Sequence, residues 1–283
     1  MSVDKTQFLN CQVPLQPIHT QWLSDSGVKL DMLRLDLLDS QVSGNKWYKL
    51  KQNLKAAREQ GKNTILSFGG VWSNHIHALA AAGNRFGFST IGVIRSEPIK
   101  EHGRLTLTLE DAVKWGMTLR FLSRSDYRKK NDPEFLNRLM EHFGLQYKNV
   151  HLVPEGGSND LGIKGCEEIF FAGDIQSDVY NEVWLACGTG VTLSGIALSA
   201  DAQSPTTHIK GVAVLKGADF LRNDINRFTH RPLDNWTLLT EYHHGGYART
   251  SKELLAFMQY FEQETGITLD PVYTGKAMFA LYC

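Results

Sequence analysis

Apolar residues in this sequence occur in two patterns that alternate along the chain. Short continuous runs, typical of strands buried on both faces, are followed by longer runs with apolar positions three or four residues apart, typical of helices. In the first half the predicted strands are NTILSFGG, STIGVIR, TLRFLS and NVHLVPE. Helices are predicted over residues 45–60, 73–87, 104–116 and 132–144. This alternation across short joints indicates a parallel sheet covered on both faces.

The second half repeats the alternation. Its predicted strands are EVWLACG, HIKGVAVL and WTLLTEY, and helices are predicted over residues 190–200 and 250–266. Thr250 and Glu253 have the spacing of a capping box, so we expect Thr250 to cap the second of these helices. The glycine-rich segment PEGGSNDLGIKG, residues 154–165, is predicted to be a loop joining two α/β lobes with a cleft between them.

The composition excludes several classes of function. The chain has 283 residues, and its 30 Lys and Arg balance 30 Asp and Glu, so no overall field favours nucleic acid or an anionic membrane. No apolar run approaches the roughly 18 residues of a membrane span, and the N-terminal residues do not resemble a signal peptide. Cys11, Cys166, Cys187 and Cys283 form no close pair, which favours free thiols in a reducing compartment. We therefore expect a cytoplasmic protein that acts on a small molecule.

The segment ACGTGVTLSG, residues 186–195, is the first that suggests chemistry, because a predicted strand runs there into a helix. Its glycines would let the backbone approach an anion closely. The N–H groups of the helix start, with the hydroxyls of Thr189 and Thr192, would then bind phosphate. Leu193 stands where a G-x-G-x-x-G dinucleotide motif needs glycine. A tight turn with glycines for packing is the alternative interpretation.

The segment FGGVWSNHIHALA is a second candidate anion site. Two glycines end a strand, and Ser73, Asn74 and His75 begin the next helix. A hydroxyl, an amide and free backbone N–H groups at a helix start suit a carboxylate, although N-capping by Ser73 or Asn74 would explain the same residues. His75 and His77 are two residues apart on a helix and face different directions, so no metal site is expected.

Lys46 follows the polar turn Ser43-Gly44-Asn45 at the start of a predicted helix. A lysine amine with an ordinary pKa is a poor nucleophile at neutral pH, but partial burial or a cationic neighbour would lower that pKa and allow Schiff-base chemistry. Together with a phosphate-binding turn and a carboxylate-binding helix start, such a lysine would suit a pyridoxal phosphate enzyme acting on an amino acid. Tyr247 and Tyr273 follow turn residues near the expected cleft, where packing alone would also account for them.

Five segments occur in an order known from one pyridoxal phosphate family: SGNKWYKL, FGGVWSNHIHALAAAG, PEGGSNDLG, ACGTGVTLSG and DPVYTGKA. On these motifs the chain resembles the 1-aminocyclopropane-1-carboxylate (ACC) deaminases and D-cysteine desulfhydrases. The resemblance implies an α/β fold with two lobes like the tryptophan synthase β-subunit (fold type II), in which three-layer sandwiches contain parallel sheets. It further implies a larger cofactor-binding domain, residues 1–48 and 153–283, a smaller domain, residues 49–152, and a homodimer.

Site residues follow from the resemblance position by position. Lys46, rather than Lys49, would bond pyridoxal 5'-phosphate. Asn74 would hydrogen-bond the ring oxygen of the cofactor, and Ser73, Asn74 and His75 would bind the substrate carboxylate. The residues of the phosphate cup would be Gly188, Thr189, Gly190, Val191 and Thr192. The catalytic residues would be Lys46, Ser73, Tyr247 and Tyr273.

Thr274 separates the two activities of this family. The ring-opening deaminases have glutamate at this position, against the pyridine nitrogen of the cofactor. A carboxylate keeps that nitrogen protonated and the ring a deep electron sink, which cleavage of a ring C–C bond needs. Threonine offers only a hydroxyl, and VYTGK matches the D-cysteine desulfhydrases. The sequence therefore favours β-elimination over ring opening.

The resemblance thus implies a lyase of amino acid metabolism that converts D-cysteine to pyruvate, ammonia and sulfide. In this reaction Lys46 would remove the α-proton, while Tyr247 and Tyr273 assist proton transfer or protonate the departing sulfur. ACC deaminase is the alternative within the family. Family members usually continue beyond the position of Cys283 with an HTGG-like segment, so some support for the pyridine ring is expected to be missing. A cofactor-binding protein without turnover and a phosphate binder without a Schiff base are the remaining alternatives.

Overall fold

The structure, a computed structural model, describes residues 13–42, 44–96, 105–172 and 180–283. Ser43, Cys11 and the predicted helix start at Arg104 lie outside these ranges. In the described part the chain divides into two compact units, which we call the first unit (residues 36–165) and the second unit (residues 13–35 and 166–283). The domain boundaries predicted from the sequence, at 48/49 and 152/153, stay a prediction.

Strands and helices alternate over most of the described chain. The strands are β1 Leu15–Ile18, β2 Leu30–Leu33, β3 Thr64–Gly70, β4 Ser89–Arg95, β5 Thr118–Leu122, β6 Val150–Val153, β7 Glu182–Cys187, β8 His208–Ala213 and β9 Trp236–Leu239. The α-helices are α1 Gln21–Ser26, α2 Asn45–Glu59, α3 Asn74–Phe86, α4 Leu107–Lys114, α5 Arg124–Tyr127, α6 Pro133–His142, α7 Asp160–Glu167, α8 Val191–Gln203, α9 Phe220–Thr229, α10 Lys252–Thr265 and α11 Thr274–Tyr282. None of the described helices is long and apolar enough to cross a bilayer.

The first unit contains a four-stranded sheet in the order β5-β4-β3-β6, and its strands are all parallel. The register runs from Thr64 opposite Ser89 to Gly70 opposite Arg95. The carboxyl ends of β3 and β4 therefore lie at the same edge of the sheet, where ligands bind in open α/β sheets. The core under this sheet consists of Leu66, Phe68, Ile91, Val93, Tyr127, Leu139, Met140 and Val150.

The second unit contains a three-stranded parallel sheet in the order β7-β8-β9 and an antiparallel pair, β1 and β2, on either side of α1. Its larger apolar cluster joins Ile18 and Leu23 to residues of α10 and of the turn after it, namely Phe257, Phe261, Ile267 and Leu269. A smaller cluster packs Ala277 and Ala280 of α11 near Val212 of β8. The α/β class with parallel sheets, predicted from the alternating pattern, is confirmed.

Two local predictions were wrong. α10 is capped by Ser251, whose Oγ accepts the N–H of Leu254 at 3.2 Å, and not by Thr250, because the helix begins one residue later than its pattern suggested. The segment 154–165 is not an irregular loop throughout, since it contains a 3-10 turn, Glu155–Gly157, and the start of α7. The helix was not predicted because glycines in that segment are typical of loops.

Candidate active site

The helix after the predicted polar turn carries two lysines near its start. α2 begins at Asn45 with Gly44 at its N-cap. Lys46 is partly exposed, and its Nζ donates a hydrogen bond to Oδ1 of Asn45 at 2.9 Å. Lys49, one turn later, is only 4% exposed. The first unit therefore buries a second amine close to the one that the sequence singled out.

The segment 39–42, which comes shortly before Lys46, is bonded to the last turn of α3. Oδ1 of Asp39 accepts the N–H groups of Gln41 and Val42, and Oδ2 accepts a hydrogen bond from Nη1 of Arg85 at 2.7 Å. Burial alone would raise the pKa of Asp39, but the bonds from Arg85, Val42 and Gln41 lower it. This ion pair ties the approach to Lys46 to the helix whose first turn is the predicted carboxylate site.

The first turn of α3 folds back tightly on the end of β3. A Cβ at Gly69 would lie 2.7 Å from Oγ of Ser73, so the turn can form only around a glycine. Ser73 is the N-cap, and its Oγ accepts the N–H of Ile76 at 3.3 Å. Asn74 is exposed at the first helical position. Ser73 therefore caps the helix, and the same hydroxyl can still donate a hydrogen bond to a ligand.

His75 is the least exposed of the residues predicted to bind the carboxylate, with 3% of its surface accessible. Its Nε2 lies 2.9 Å from Oγ of Ser67. Its Nδ1 is buried and has no hydrogen-bond partner among the residues that the structure describes. A buried ring nitrogen without a partner is costly, and its place at a helix start suits a ligand that supplies the missing bond.

Two amines act on the same imidazole. The pKa of His75 is lowered to about 3, first by burial and then by the positive charges of Lys46 and Lys49. The ring is therefore neutral at physiological pH, while the surroundings stay positive. A helix N-terminus, two lysines and an unsatisfied ring nitrogen together form a corner of the first unit whose chemistry suits an anion.

A buried amide network supports this corner. The side chain of Asn53, which has no exposed surface, exchanges hydrogen bonds with Asn159, and its Oδ1 accepts a hydrogen bond from Nε2 of His151 at 3.2 Å. Its Nδ2 also donates to the carbonyl of Lys49. The network thus links α2 to the segment that contains Gly157, where an added Cβ would lie 3.0 Å from Cβ of Lys49. No sequence motif marks this network, although an asparagine inside an apolar helix face was a signal of it.

In the second unit, the predicted phosphate cup is the turn from β7 into α8. Gly190 is the N-cap of α8 with φ of 82°, and it provides no side-chain acceptor for the first N–H groups of the helix. A Cβ at this position would also lie 2.9 Å from Cγ1 of Ile225. Val191 and Thr192 are buried. A glycine turn at the N-terminus of a 13-residue helix is a suitable cradle for a phosphate.

Both predicted tyrosines lie in the second unit. The rings of Tyr247 and Tyr273 are 6.2 Å apart between centroids and meet edge to face at 73°. A Cβ at Gly188 would lie 3.3 Å from Cε1 of Tyr273 and 4.0 Å from its hydroxyl oxygen. The structure therefore brings the two tyrosines and the start of the glycine turn together.

Thr274 is the first residue of α11 and is exposed. Its Oγ1 accepts the N–H of Asp270 at 2.8 Å, while Oδ1 of Asp270 accepts the N–H groups of Val272 and Tyr273. These bonds set the direction of the Thr274 hydroxyl. Its proton remains able to donate to a ligand, but it brings no negative charge.

These donors fit pyridoxal phosphate, a ligand with an aldehyde, a phosphate and a pyridine ring. The amine of Lys46 suits the aldehyde, and the glycine turn at α8 suits the phosphate. The unsatisfied Nδ1 of His75 suits an anion at the start of α3. Among the residues predicted for the site, Lys46 and His75 lie close together in the first unit, as do Gly188, Tyr247 and Tyr273 in the second.

Comparison with known proteins finds relatives whose names match the family that the sequence motifs resemble. The chain is 27% identical over 284 residues to a protein of Arabidopsis thaliana named "Bifunctional D-cysteine desulfhydrase/1-aminocyclopropane-1-carboxylate deaminase, mitochondrial", with 94% of this chain and 70% of that protein covered. It is 28% identical over 271 residues to a protein of Yersinia pestis named "D-cysteine desulfhydrase", with 90% and 80% covered.

A solved structure described as an ACC deaminase homologue shares the fold. It superposes with a TM-score of 0.79 at 23% identity, covering 100% of this chain and 90% of that chain. The family model described as "Pyridoxal-phosphate dependent enzyme" matches residues 26–283, which is most of the sequence. The protein is therefore a member of the pyridoxal-phosphate dependent enzymes.

Proposed function

We propose that this enzyme eliminates sulfide from D-cysteine, so that D-cysteine and one water yield pyruvate, ammonia and hydrogen sulfide. The observation that carries the choice of reaction is the hydroxyl of Thr274, at the position that the resemblance assigns to the pyridine nitrogen. The names of the Arabidopsis thaliana and Yersinia pestis relatives support the choice of substrate. ACC deaminase is the second candidate, because the name of the Arabidopsis thaliana relative includes that activity as well.

The family resemblance supports the choice of residues that would hold the cofactor. Lys46 would hold it through the Nζ amine, Asn74 would donate to its ring oxygen, and the turn from Gly188 to Thr192 would bind its phosphate. When bound, pyridoxal phosphate supplies an electron sink for the pair left on the α-carbon of an amino acid. Lys46 Nζ, once it is free, is the base that takes the α-proton.

The start of α3 would bind the substrate carboxylate. The helix N-terminus and the hydroxyl of Ser73 offer donors, and the positive surroundings of His75 favour an anion. A bound carboxylate requires a proton on Nδ1 of His75, so Nε2 accepts from Oγ of Ser67 at 2.9 Å. With a pKa of about 3, His75 makes this contact as a neutral donor and takes no part in proton transfer near pH 7.

Tyr247 and Tyr273 would serve the leaving group. When the Cβ–S bond breaks, its electron pair goes to sulfur, and the thiolate then takes a proton. The ring centroids of the two tyrosines are 6.2 Å apart. One phenol O–H can therefore donate its proton to the sulfur while the other phenol orients the first. The contact of Tyr273 with the glycine turn supports a role close to the cofactor.

Thr274 makes elimination the favoured reaction. Loss of a thiolate needs only modest stabilisation of the electron pair left on the α-carbon, whereas opening a cyclopropane ring needs a protonated pyridine nitrogen. The hydroxyl of Thr274, held by the N–H of Asp270, can donate a hydrogen bond to that nitrogen but cannot hold a proton on it by charge. A carboxylate at the same place would do so.

The proposal is tested by supplying the purified, cofactor-loaded protein with D-cysteine, L-cysteine and ACC in parallel. The 2-oxo acid produced from each is measured, together with sulfide from the two cysteines. We expect D-cysteine to give the highest kcat/KM. A higher value for ACC would establish the second candidate, and bound cofactor without any product would indicate a binding protein that lacks turnover.

Two lysines of α2 provide matched variants. Lys46→Ala should lose about 100-fold or more in kcat, the usual contribution of a general base, and should change the visible absorbance of the bound cofactor. Lys55→Ala is the control, because the side chain of Lys55 is 70% exposed and its Nζ lies 4.0 Å from Glu59 on the same helix. Equal activity of the Lys46→Ala variant and the wild type would refute the assignment.

The homodimer and the cytoplasmic location are also proposals. The family resemblance supports the first, and the scattered cysteines support the second. Light scattering of the purified protein and fractionation of the producing cells are the respective tests. A monomer at working concentration would refute the dimer, and recovery of the protein outside the cytoplasmic fraction would refute the location.

A further inference from the structure

Lys276 is a fully buried lysine that the proposed reaction does not use. It lies on α11, two residues after Thr274, and has no exposed surface. Its Nζ donates to the carbonyl oxygen of Gly246 at 2.8 Å and to that of Val214 at 3.4 Å. Burial lowers the pKa of Lys276, and the charge of Asp270 opposes that shift. An ammonium is buried at a cost that only well-placed acceptors offset.

The two carbonyl groups belong to segments beside the proposed site. Val214 directly follows β8, and its N–H donates to the carbonyl oxygen of Cys187, the residue before Gly188. Gly246 precedes Tyr247 in the segment 243–249, which we call the tyrosine loop. The ammonium of Lys276 therefore joins the end of the parallel sheet to the tyrosine loop.

The tyrosine loop has a backbone that needs external support. His244, Gly245, Gly246 and Ala248 all have positive φ, with values of 48°, 94°, 112° and 54°. Two of these residues carry a Cβ, for which this region is unfavourable. Such conformations persist where the surroundings hold them in place.

Gly246 is the point at which the loop is held. Its N–H donates to the carbonyl oxygen of His243, and its own carbonyl oxygen accepts the N–H of Arg249 as well as the ammonium of Lys276. A Cβ at Gly246 would also lie 3.4 Å from the backbone nitrogen of Lys216, so the loop packs closely on the segment after β8.

We propose that Lys276 is a positioning residue, whose buried ammonium fixes the tyrosine loop and thereby holds Tyr247 beside Tyr273. Tyr273 is the N-cap of the helix that carries Lys276, so one helix positions both tyrosines. This inference rests on the proposed function, because it takes Tyr247 to serve the reaction. A misplacement of a functional group by about 1 Å is enough to cost up to about 100-fold in rate.

Hydrogen exchange of the holoenzyme tests the contact without any substrate. In Lys276→Met the amides of the tyrosine loop should exchange about tenfold faster or more, because the loop opens locally, while those of α8 stay as in the wild type. The matched control is Lys252→Met, which changes an exposed lysine at the start of α10. Unchanged exchange of the tyrosine loop in Lys276→Met would overturn the inference, whatever the enzyme's substrate proves to be.

Kinetics of the cofactor-saturated enzyme test the route through Tyr247. Lys276→Met should lower kcat by about tenfold or more, and Tyr247→Phe should lower it as well. In the double variant the second change should add less than about twofold, since a misplaced phenol and a missing one are equivalent. Losses that multiply would show that Lys276 does not act through Tyr247.

Lys276→Gln covers the case in which the methionine variant does not fold. Glutamine keeps N–H donors without a charge to desolvate, but it is too short to reach both carbonyl groups. The same faster exchange of the tyrosine loop is expected. Wild-type exchange combined with a lowered kcat would overturn the inference, because the loop would then be intact.

Discussion

The ring of Tyr273 lies so close to Gly188 that a Cβ added at Gly188 would be only 3.3 Å from Cε1, a contact that is relieved only if the ring shifts slightly. Gly188→Ala should therefore push the ring away from the glycine turn. We expect weaker cofactor binding and a kcat lowered by about tenfold or more. Titration of the cofactor by fluorescence and steady-state kinetics measure both. If the contact is the cause, adding Gly188→Ala to Tyr273→Ala should cost little more.

His75 should govern part of the acid sensitivity of the fold. Its pKa is about 3 in the folded protein and near 6.5 when unfolded, so the unfolded state binds more protons between these values. Stability should therefore fall as the pH drops below about 6.5, by up to about 1.4 kcal/mol for each pH unit. Urea unfolding at pH 7 and pH 5 would show a difference about 2 kcal/mol smaller in His75→Gln than in the wild type.

Replacing His75 also tests the carboxylate site. His75→Leu removes the donor while keeping the site buried, and we expect KM for D-cysteine to rise about tenfold, the effect of losing one hydrogen bond to a charged group. The pH dependence of kcat/KM in the wild type should show no step from His75 between pH 5 and 9. A step in that range that disappears in His75→Gln would contradict the neutral state assigned to the ring.

Thr274→Glu should move the enzyme toward ring opening. A carboxylate at the start of α11 is favourable for the helix, although the bond from the N–H of Asp270 to Oγ1 is lost. We expect D-cysteine turnover to fall by about tenfold and the ratio of ACC to D-cysteine turnover to rise. Thr274→Ser, which keeps the hydroxyl, is the control and should retain the wild-type ratio. An unchanged ratio in the glutamate variant would remove Thr274 as the determinant of reaction type.

The ion pair between Asp39 and Arg85 should be worth more than its exposed counterparts. The two groups are 2.7 Å apart and mostly buried, so a double-mutant cycle with Asp39→Asn and Arg85→Met should give a coupling of about 1–3 kcal/mol. The pair of Glu134 and Arg138, 3.9 Å apart and exposed, should give less than about 0.5 kcal/mol. Because the pKa of Asp39 is lowered in the folded protein, this contribution should be present above about pH 4 and lost as the pH falls further.

Local sequence patterns predicted the fold class well because strands and helices are determined largely by residues close together in the sequence. The apolar runs around Leu66 and Val93, with the glycines at the end of β3 and directly after β7, identify strands that lead into helices. The motif order predicted the family, which the match over residues 26–283 confirms. The cap of α10 was misplaced because Thr250 and Ser251 are adjacent hydroxyl residues, and only the backbone geometry distinguishes them.

The environment of the site could not be predicted in the same way. Burial of Lys49, Asn53 and Lys276 depends on segments far away in the sequence, and all three are polar residues that a local pattern assigns to the surface. The shift of the His75 pKa depends first on the burial of the ring and then on the charge of Lys46, 29 positions earlier in the chain. Tertiary packing thus supplies the electrostatics, and motifs alone cannot show it.

Helix α3 has a consequence for engineering this enzyme. Its first turn carries Ser73 and His75, and its last turn carries Arg85, which holds the approach to Lys46 through Asp39. The helix is therefore a rigid element about 20 Å long that positions functional residues at both of its ends. Substitutions that weaken the contact at Arg85 should misalign the amine of Lys46. Mutant libraries designed to change the substrate are therefore better confined to the tyrosine loop and Thr274.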